Sequence, residues 1–342
     1  MSTIDGTRIL VTGGAGFIGS HLVDELLRRD PISIVVLDNL ATGSRENLAD
    51  ALADPRVRLV EADARETDVL DVLLEEVDVV FHLACLGVRH SLHEPRENHD
   101  VNATMTLELL ERSRAAGISR FIHVSSSEVY GSAQYAPMDE GHPTFPETVY
   151  GGAKLAGEAY ARAAFRTHAF PVTVVRPFNA YGPRSHFEGD SGEVLPRTIV
   201  RVLGGEPPLV YGDGAQSRDF THVTDTARGI IALAESDAAI GRTVNIGSGA
   251  DVTISELARI VLEAAERTDL EPVHLEQRPG DVRRLLADST LMSALTGFEP
   301  QVSFEDGVAE LYRLFRDSAA PAAEMLAQVE DRNWIVGSAA HV

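Results

Sequence analysis

The sequence predicts an α/β protein, a doubly wound parallel sheet covered by helices and followed by a smaller mixed α/β region. Short β-branched runs alternate with longer amphipathic stretches through the first half, the βαβ pattern of a parallel sheet. After Arg176 the texture turns irregular and rich in Pro and Gly, as in segments that cover a substrate pocket beside a regular sheet. The length of 342 residues, with 44% hydrophobic and 24% charged residues, suits one large or two modest domains.

In chain order, strands are expected over residues 8–12, 32–38, 57–61 and 77–84, with helices over 20–29 and 69–74 between them. A helix over 102–116, a strand over 120–125, a helix over 150–165 and a strand over 172–176 continue the alternation. A strand over 243–246 and a helix over 254–266 follow the irregular stretch. Residues 1–176 are therefore expected to form the sheet domain, completed by about 219–246, with 177–218 and 247–317 as the substrate-binding region. Residues 318–342, rich in Ala and carrying Trp334, read either as a loosely attached tail or as a docked terminal helix.

The net charge of −22 argues against a nucleic-acid surface, which needs Lys and Arg to neutralise phosphates. A small anionic ligand remains compatible, because a few local cations and backbone N–H groups outweigh a distant negative field. The single cysteine, Cys85, allows no intramolecular disulfide and fits a reducing compartment. Its place in the apolar run Val79-Val80-Phe81-His82-Leu83-Ala84-Cys85 predicts a buried structural thiol. No basic stretch followed by an apolar core opens the chain and no apolar run reaches membrane-spanning length, so no membrane and a cytoplasmic location are expected.

The first strand runs into Gly13-Gly14-Ala15-Gly16-Phe17-Ile18-Gly19, and an amphipathic helix begins at once. Glycines there let the backbone approach a pyrophosphate while the helix presents its positive end, so Gly13, Gly16, Phe17, Ile18 and Gly19 form a candidate dinucleotide cradle of Rossmann type. Asp38 ends the second strand, where a carboxylate can accept hydrogen bonds from the adenosine ribose. It would repel a 2′-phosphate, favouring NAD over NADP, a preference that nearby Arg45 weakens. Asp63, at the end of the third strand, either faces the adenine or caps the next helix. Asn39, Ala64, Leu83 and Ala84, at the same strand ends, complete the candidate cofactor wall.

Tyr150 and Lys154 are four apart at the start of a predicted helix and so share one face. Lys154 together with an oxidised nicotinamide is expected to lower the phenol from about 10 toward neutrality, making Tyr150 a general base. Ser125-Ser126-Ser127 ends a strand upstream, at the same carboxyl edge of the sheet.

With these elements in place, the chain resembles the extended short-chain dehydrogenase/reductase family, and within it the nucleotide-sugar epimerases and dehydratases. The matches are Thr-Gly-Gly-Ala-Gly-Phe-Ile-Gly at 12–19, Ser-Ser-Ser-Glu-Val-Tyr-Gly at 125–131 and Tyr-Gly-Gly-Ala-Lys at 150–154. Downstream come Arg-Pro-Phe-Asn-Ala-Tyr-Gly-Pro at 176–183, Gly-Asp-Gly-Ala-Gln-Ser-Arg-Asp-Phe at 212–220, Asn-Ile-Gly-Ser-Gly at 245–249 and Arg-Pro-Gly-Asp-Val at 278–282.

The resemblance implies an NAD-dependent enzyme acting on a nucleotide sugar, and a homodimer formed through helices 102–116 and 150–165. It implies that Ser126 holds the sugar's O4 beside Tyr150, with Ser127 adjoining. Asn179, Arg218 and Arg278 are implied to hold the diphosphate, and Ser125 and Asn102 to lie near the cofactor. Asn102 stands in Asp100-Val101-Asn102-Ala103-Thr104, which lacks the family's usual glycine. Without the resemblance, Arg218 and Arg278 read as surface ion pairs.

Glu128 separates the reactions the family implies. Removal of the O4 proton by Tyr150, with hydride leaving C4, is common to all of them. An epimerase then returns the hydride to the other face, whereas a 4,6-dehydratase needs a group to take the C5 proton and help water leave C6. Glutamate before Val-Tyr-Gly resembles dehydratases and glucuronate decarboxylases. Ser127 replaces the aspartate of the deoxythymidine-diphosphate-glucose dehydratases, so the stretch is more similar to dehydratases acting on GDP-mannose or UDP-N-acetylglucosamine. The expectation is therefore 4,6-dehydration, then 4-epimerisation, then decarboxylation with Arg89 or Arg184 meeting the substrate carboxylate. Alternatively Glu128 merely caps a turn or pairs with a cation.

An NAD-binding sensor without catalysis is the rival of another class, and the intact Tyr150, Lys154 and Ser126 set argues against it. His90, His93 and His99 read as solvated loop residues, with no metal expected. Residues 182–190 read either as a specificity loop or as a surface excursion.

Overall fold

The computed structural model describes residues 4–278 and 282–332. Ile9 and Val11 of the first strand enter one buried apolar cluster while Leu10 between them enters another. Alternating side chains of one strand thus bury on both sides, which is possible only in a sheet sandwiched between helices.

The elements run β1 (Arg8–Thr12), α1 (Phe17–Leu27), β2 (Ser33–Asp38), β3 (Val57–Glu61), α2 (Thr67–Leu74) and β4 (Val79–His82). Next come α3 (His90–His93), α4 (Pro95–His99), α5 (Met105–Ala115), β5 (Arg120–Val124), α6 (Val149–His168), β6 (Val172–Pro177) and β7 (Ala180–Tyr181). They are followed by α7 (Val194–Leu203), β8 (Leu209–Tyr211), β9 (Ser217–Asp219), β10 (Thr221–His222), α8 (Val223–Ala234), β11 (Thr243–Ile246) and β12 (Asp251–Thr253). The remainder is α9 (Ile254–Ala264), β13 (Val273–Leu275), β14 (Arg284–Leu285), α10 (Thr290–Thr296), α11 (Phe304–Arg316) and α12 (Ala322–Leu326).

Seven strands form one parallel sheet in the order β11-β6-β5-β4-β1-β2-β3. Chain order reverses at β1, so a crevice opens between the carboxyl ends of β1 and β4, where Rossmann-type sheets bind ligands. A smaller layer of α7, α9 and α11 shares its own core through Leu195, Ile199, Leu257, Val261, Val308 and Leu311. Short pairings of β7 with β10, β8 with β13, and β9 with β12 and β14 join that layer to the sheet's carboxyl edge. α10 packs back on α8 and β11, with Met292 in the sheet's core, so the segment 247–317 is shared between both layers.

Two expectations need correction. The stretch after Arg176 is not irregular throughout, because α7 is a buried ten-residue helix there. Pro196 in its first turn and Gly192, Gly204 and Gly205 around it read as turn signals. A first-turn N–H has no intrahelical partner in any case, so proline there is tolerated. The three histidines lie on α3 and α4 instead of a loop, and a wide helical turn over 100–104 joins α4 to α5. Among the described residues, no group of three His, Cys, Asp or Glu gathers as metal ligands. None of the described helices is long and apolar enough to cross a membrane.

Of the two alternatives for the end of the chain, the part through Asp331 is docked: α12 packs on α7 with Met325 buried. Trp334 lies outside the described residues.

A buried ion pair ties α6 to β6. Arg176 donates to both oxygens of Glu158 at 2.8 and 2.6 Å, and both residues are almost fully buried. The guanidinium also stacks on Tyr130, 4.6 Å from its ring centre.

Candidate active site

A single cavity of about 920 Å³ runs from the glycine turn, across the carboxyl ends of the sheet, to α7 and β8. The glycine turn is as close-packed as its sequence implies. Gly13 holds a φ of +70°, and a Cβ there would lie 2.5 Å from the backbone nitrogen of Ala84. α1 starts at Phe17, three residues earlier than the apolar pattern suggested, with Gly16 as an N-cap that offers no side-chain bond and no acidic residue in the first turn. Its first N–H groups are therefore left for an acceptor at the cavity wall.

Asp38 is buried on that wall, accepting from the N–H of Ala15 and of Leu40, both at 2.9 Å. Burial pushes its carboxyl above the ordinary aspartate range, against the pull of those two bonds. Arg45 is turned to Glu61 at 2.8 Å, so it does not offset the repulsion Asp38 would exert on a 2′-phosphate. Asp63 does not cap α2, whose N-cap is Glu66. Asp63 lines the cavity, paired with Arg65 at 2.7 Å and accepting from Asn39, and Arg65 holds its carboxyl below the usual range. Phe17, Ile18, Gly19, Ala64, Leu83, Ala84 and Ser125 line the same end.

Asn102 departs from expectation. Its side chain binds both backbone groups of Leu86 and the side chain of Asn98, and it does not line the cavity. It holds the 83–87 loop from behind, because the wide turn over 100–104 aims it at that backbone. Cys85 is also corrected: the thiol is half-buried and lines the cavity instead of lying in the core.

At the centre, α6 begins at Val149 under a cap from Thr148, whose hydroxyl accepts from the N–H of Gly151 at 3.1 Å. That start places Tyr150 and Lys154 one turn apart on the cavity face, with the ammonium 6.0 Å from the phenol ring. Lys154 donates to the carbonyl of Val124 at 2.9 Å. The expected lowering of the phenol's pKa relies on an oxidised nicotinamide as well as on Lys154; the protein's own groups push the other way. Burial pushes Tyr150 well above the usual phenol range, the neighbouring Cys85 and then Glu128 raise it further, and a hydrogen bond with Ser126 only partly opposes this. Ser126 caps the short turn after β5 by accepting from the N–H of Glu128, and Ser127 and Glu128 line the cavity beside it.

The far end is cationic. Asn179, Arg218 and Arg278 line it. Arg218 donates to the carbonyls of Ser217 and Val282, while buried Asp219 next to it anchors Ser248, Gly249 and Ala287. The Oδ1 of Asn179 is buried and has no hydrogen-bond partner among the described residues. Pro279, Gly280 and Asp281 of the expected motif lie outside the described residues.

Sequence reasoning missed Glu193, Arg197, Arg201 and Tyr211, which line this end as well. The i, i+4 spacing of Arg197 and Arg201 was the available signal, hidden with the helix that carries it. Arg89 lines the cavity, whereas Arg184 does not; it pairs with Asp24 on α1 at 2.8 Å.

The donor set fits NAD at the glycine end: uncapped N–H groups for a pyrophosphate, and a buried carboxylate at the ribose position. A profile of the NAD dependent epimerase/dehydratase family matches residues 9–247. The chain is 37% identical over 317 residues to a dTDP-glucose 4,6-dehydratase of Actinoplanes sp., covering 90% of this chain and 98% of that protein. It is 35% identical over 315 residues to a UDP-glucose 4-epimerase of Mycolicibacterium smegmatis, covering 91% and 99%. A dTDP-glucose 4,6-dehydratase from Streptomyces venezuelae, solved with NAD bound, superposes with a TM-score of 0.85 at 35% identity, covering 91% of this chain and 97% of that one.

Proposed function

This chain belongs to the NAD-dependent epimerase/dehydratase family, an NAD-dependent enzyme family, and from that premise we propose that it is a nucleotide-sugar 4,6-dehydratase. The substrate is a nucleoside-diphosphate hexose and the product its 4-keto-6-deoxy sugar. The observation that carries the reading is Glu128 lining the cavity beside Tyr150 and Ser126.

When bound, NAD would supply the hydride acceptor for C4, the hydride donor for C6, and a positive charge that favours ionisation of the phenol. Ser126 holds O4 and Tyr150 takes its proton. The buried phenol becomes a base near neutrality only with added positive charge beside it. Glu128 takes the C5 proton, acidified by the new ketone, and gives it to the hydroxyl leaving C6 as water; when C6 is reduced, Tyr150 gives the proton it took from O4 to C5, which restores both residues. Asn179, Arg218 and Arg278 hold the diphosphate, for which arginine offers forked donors.

The protein is further proposed to act as a homodimer through α5 and α6, which pack against each other. A cytoplasmic location accords with the single free thiol.

Incubating the purified protein with UDP-, GDP-, CDP- and dTDP-hexoses, with mass and NMR analysis of each product, tests the reaction. A product lighter by one water is expected, and Glu128→Gln should form NADH without losing water. Product of unchanged mass, inverted at C4, would overturn dehydration in favour of epimerisation.

A further inference from the structure

The last described residues reach back to the cationic end of the cavity. α12 is anchored on α7 by buried Met325 and by Leu326, which packs so closely on Gly204 that a Cβ there would lie 2.7 Å from Leu326 Cδ2. Beyond the helix, the carbonyl of Gln328 accepts from the N–H of Gly189 at 3.0 Å. The carbonyl of Glu330 accepts from Arg197, and the carbonyl of Asp331 accepts from the Tyr211 hydroxyl. The Asp331 carboxylate pairs with Arg201 at 2.8 Å.

We propose that residues 328–331 are a positioning strap that completes the nucleotide end of the site by holding Arg197, Arg201 and Tyr211 in their cavity-lining places. The inference rests on the function proposed above. Arginine side chains have many rotamers, and a ligand that must immobilise them binds more weakly than one that meets them already held. The strap supplies an acceptor to each of the three in advance, adding for Arg201 to the Pro207 carbonyl, which accepts from its Nε at 3.0 Å. Arg197 depends on this most, since burial pulls its pKa down and a guanidinium in that position needs fixed acceptors. Through Tyr211 the strap also supports Arg278, whose guanidinium sits 5.8 Å from the Tyr211 ring centre. The strap lies away from the glycine turn, so its effect is specific to one ligand of the two.

The test uses full-length Met325→Asp, which undocks α12, and a chain ended after Ala327. Calorimetric titration of UDP, dTDP, GDP, CDP and NAD is compared with the parent. The nucleoside diphosphate that the parent binds is expected to bind both variants about tenfold more weakly. KM for the corresponding sugar nucleotide should rise in proportion, with kcat little changed and NAD affinity kept. Nucleotide binding that is unchanged or tighter in both variants refutes the strap alone. Equal losses for NAD and nucleotide also refute it, showing a general role in folding. A parent that binds none of the four nucleotides overturns the proposed function and the strap together.

Discussion

Replacing Gly19 by Ala sets two known effects against each other at the cofactor cradle. Gly19 lies in the first turn of α1, and alanine is better than glycine in a helix by about 0.5–1 kcal/mol. If nothing opposed it, Gly19→Ala would stabilise the protein. A Cβ at Gly19, however, would lie 2.1 Å from the Gly13 carbonyl oxygen and 2.8 Å from the Gly14 Cα. Both obstacles are backbone, and Gly13 has little room to retreat because it packs against Ala84. Overpacking of this kind costs about 1–3 kcal/mol. The clash outweighs the propensity gain, so net destabilisation of about 1–2 kcal/mol is expected, lowering Tm by a few degrees. Moving Gly13 also deforms the turn, so NAD should bind at least about tenfold more weakly. Gly152→Ala in α6 is the control, because nothing lies within 4 Å of its added Cβ, and it should be stabilising. Calorimetry of both variants with and without NAD decides the matter. A Gly19→Ala protein as stable as Gly152→Ala, with NAD affinity unchanged, would refute the account of the cradle.

Tyr150→Phe should lose turnover by at least about 100-fold while NAD titration is unaltered, and retained turnover would remove the phenol from the chemistry. Glu158→Ala leaves Arg176 buried without its carboxylate and should destabilise by about 3–5 kcal/mol in denaturant unfolding; a change under about 1 kcal/mol would contradict the burial argument. Burial pushes Glu193 up to about 7 from 4.5, so the folded protein keeps a proton that the unfolded chain releases. That contribution to stability is present below about pH 4.5 and is lost as pH rises through about 7. Glu193→Gln should therefore melt above the parent at about pH 8 and level with it at about pH 4, and a gap independent of pH would count against the shift. Arg184→Ala removes a half-buried pair with Asp24 near the surface and should change stability by less than about 1 kcal/mol and leave turnover unaltered, whichever sugar nucleotide is used.

Local chemistry made the sheet and the two ends of the reaction centre readable in the sequence. The β-branched run before Gly13, the glycines themselves, Asp38 at a strand end and the four-residue step from Tyr150 to Lys154 each act through neighbours in sequence, so periodicity and spacing expose them. What depended on distant partners was not readable. The orientation of Asn102 is set by the backbone of Leu86, the half-buried place of Cys85 by the cavity opposite it, and the absence of Arg184 from the site by Asp24, 160 positions away. The phenol's environment belongs to the same class: spacing brings Lys154 near Tyr150, but the desolvation that raises the phenol comes from walls that only packing assembles. Arg197, Arg201 and Tyr211 became a site only when α7 folded against β8 and the end of the chain came back to meet them. Sequence by itself determined the sheet, its glycine cradle and the Tyr150–Lys154 pair, because those are written in short-range pattern. Tertiary structure alone decided burial, pairing and the shape of the nucleotide end, because each requires groups that only long-range packing brings into contact.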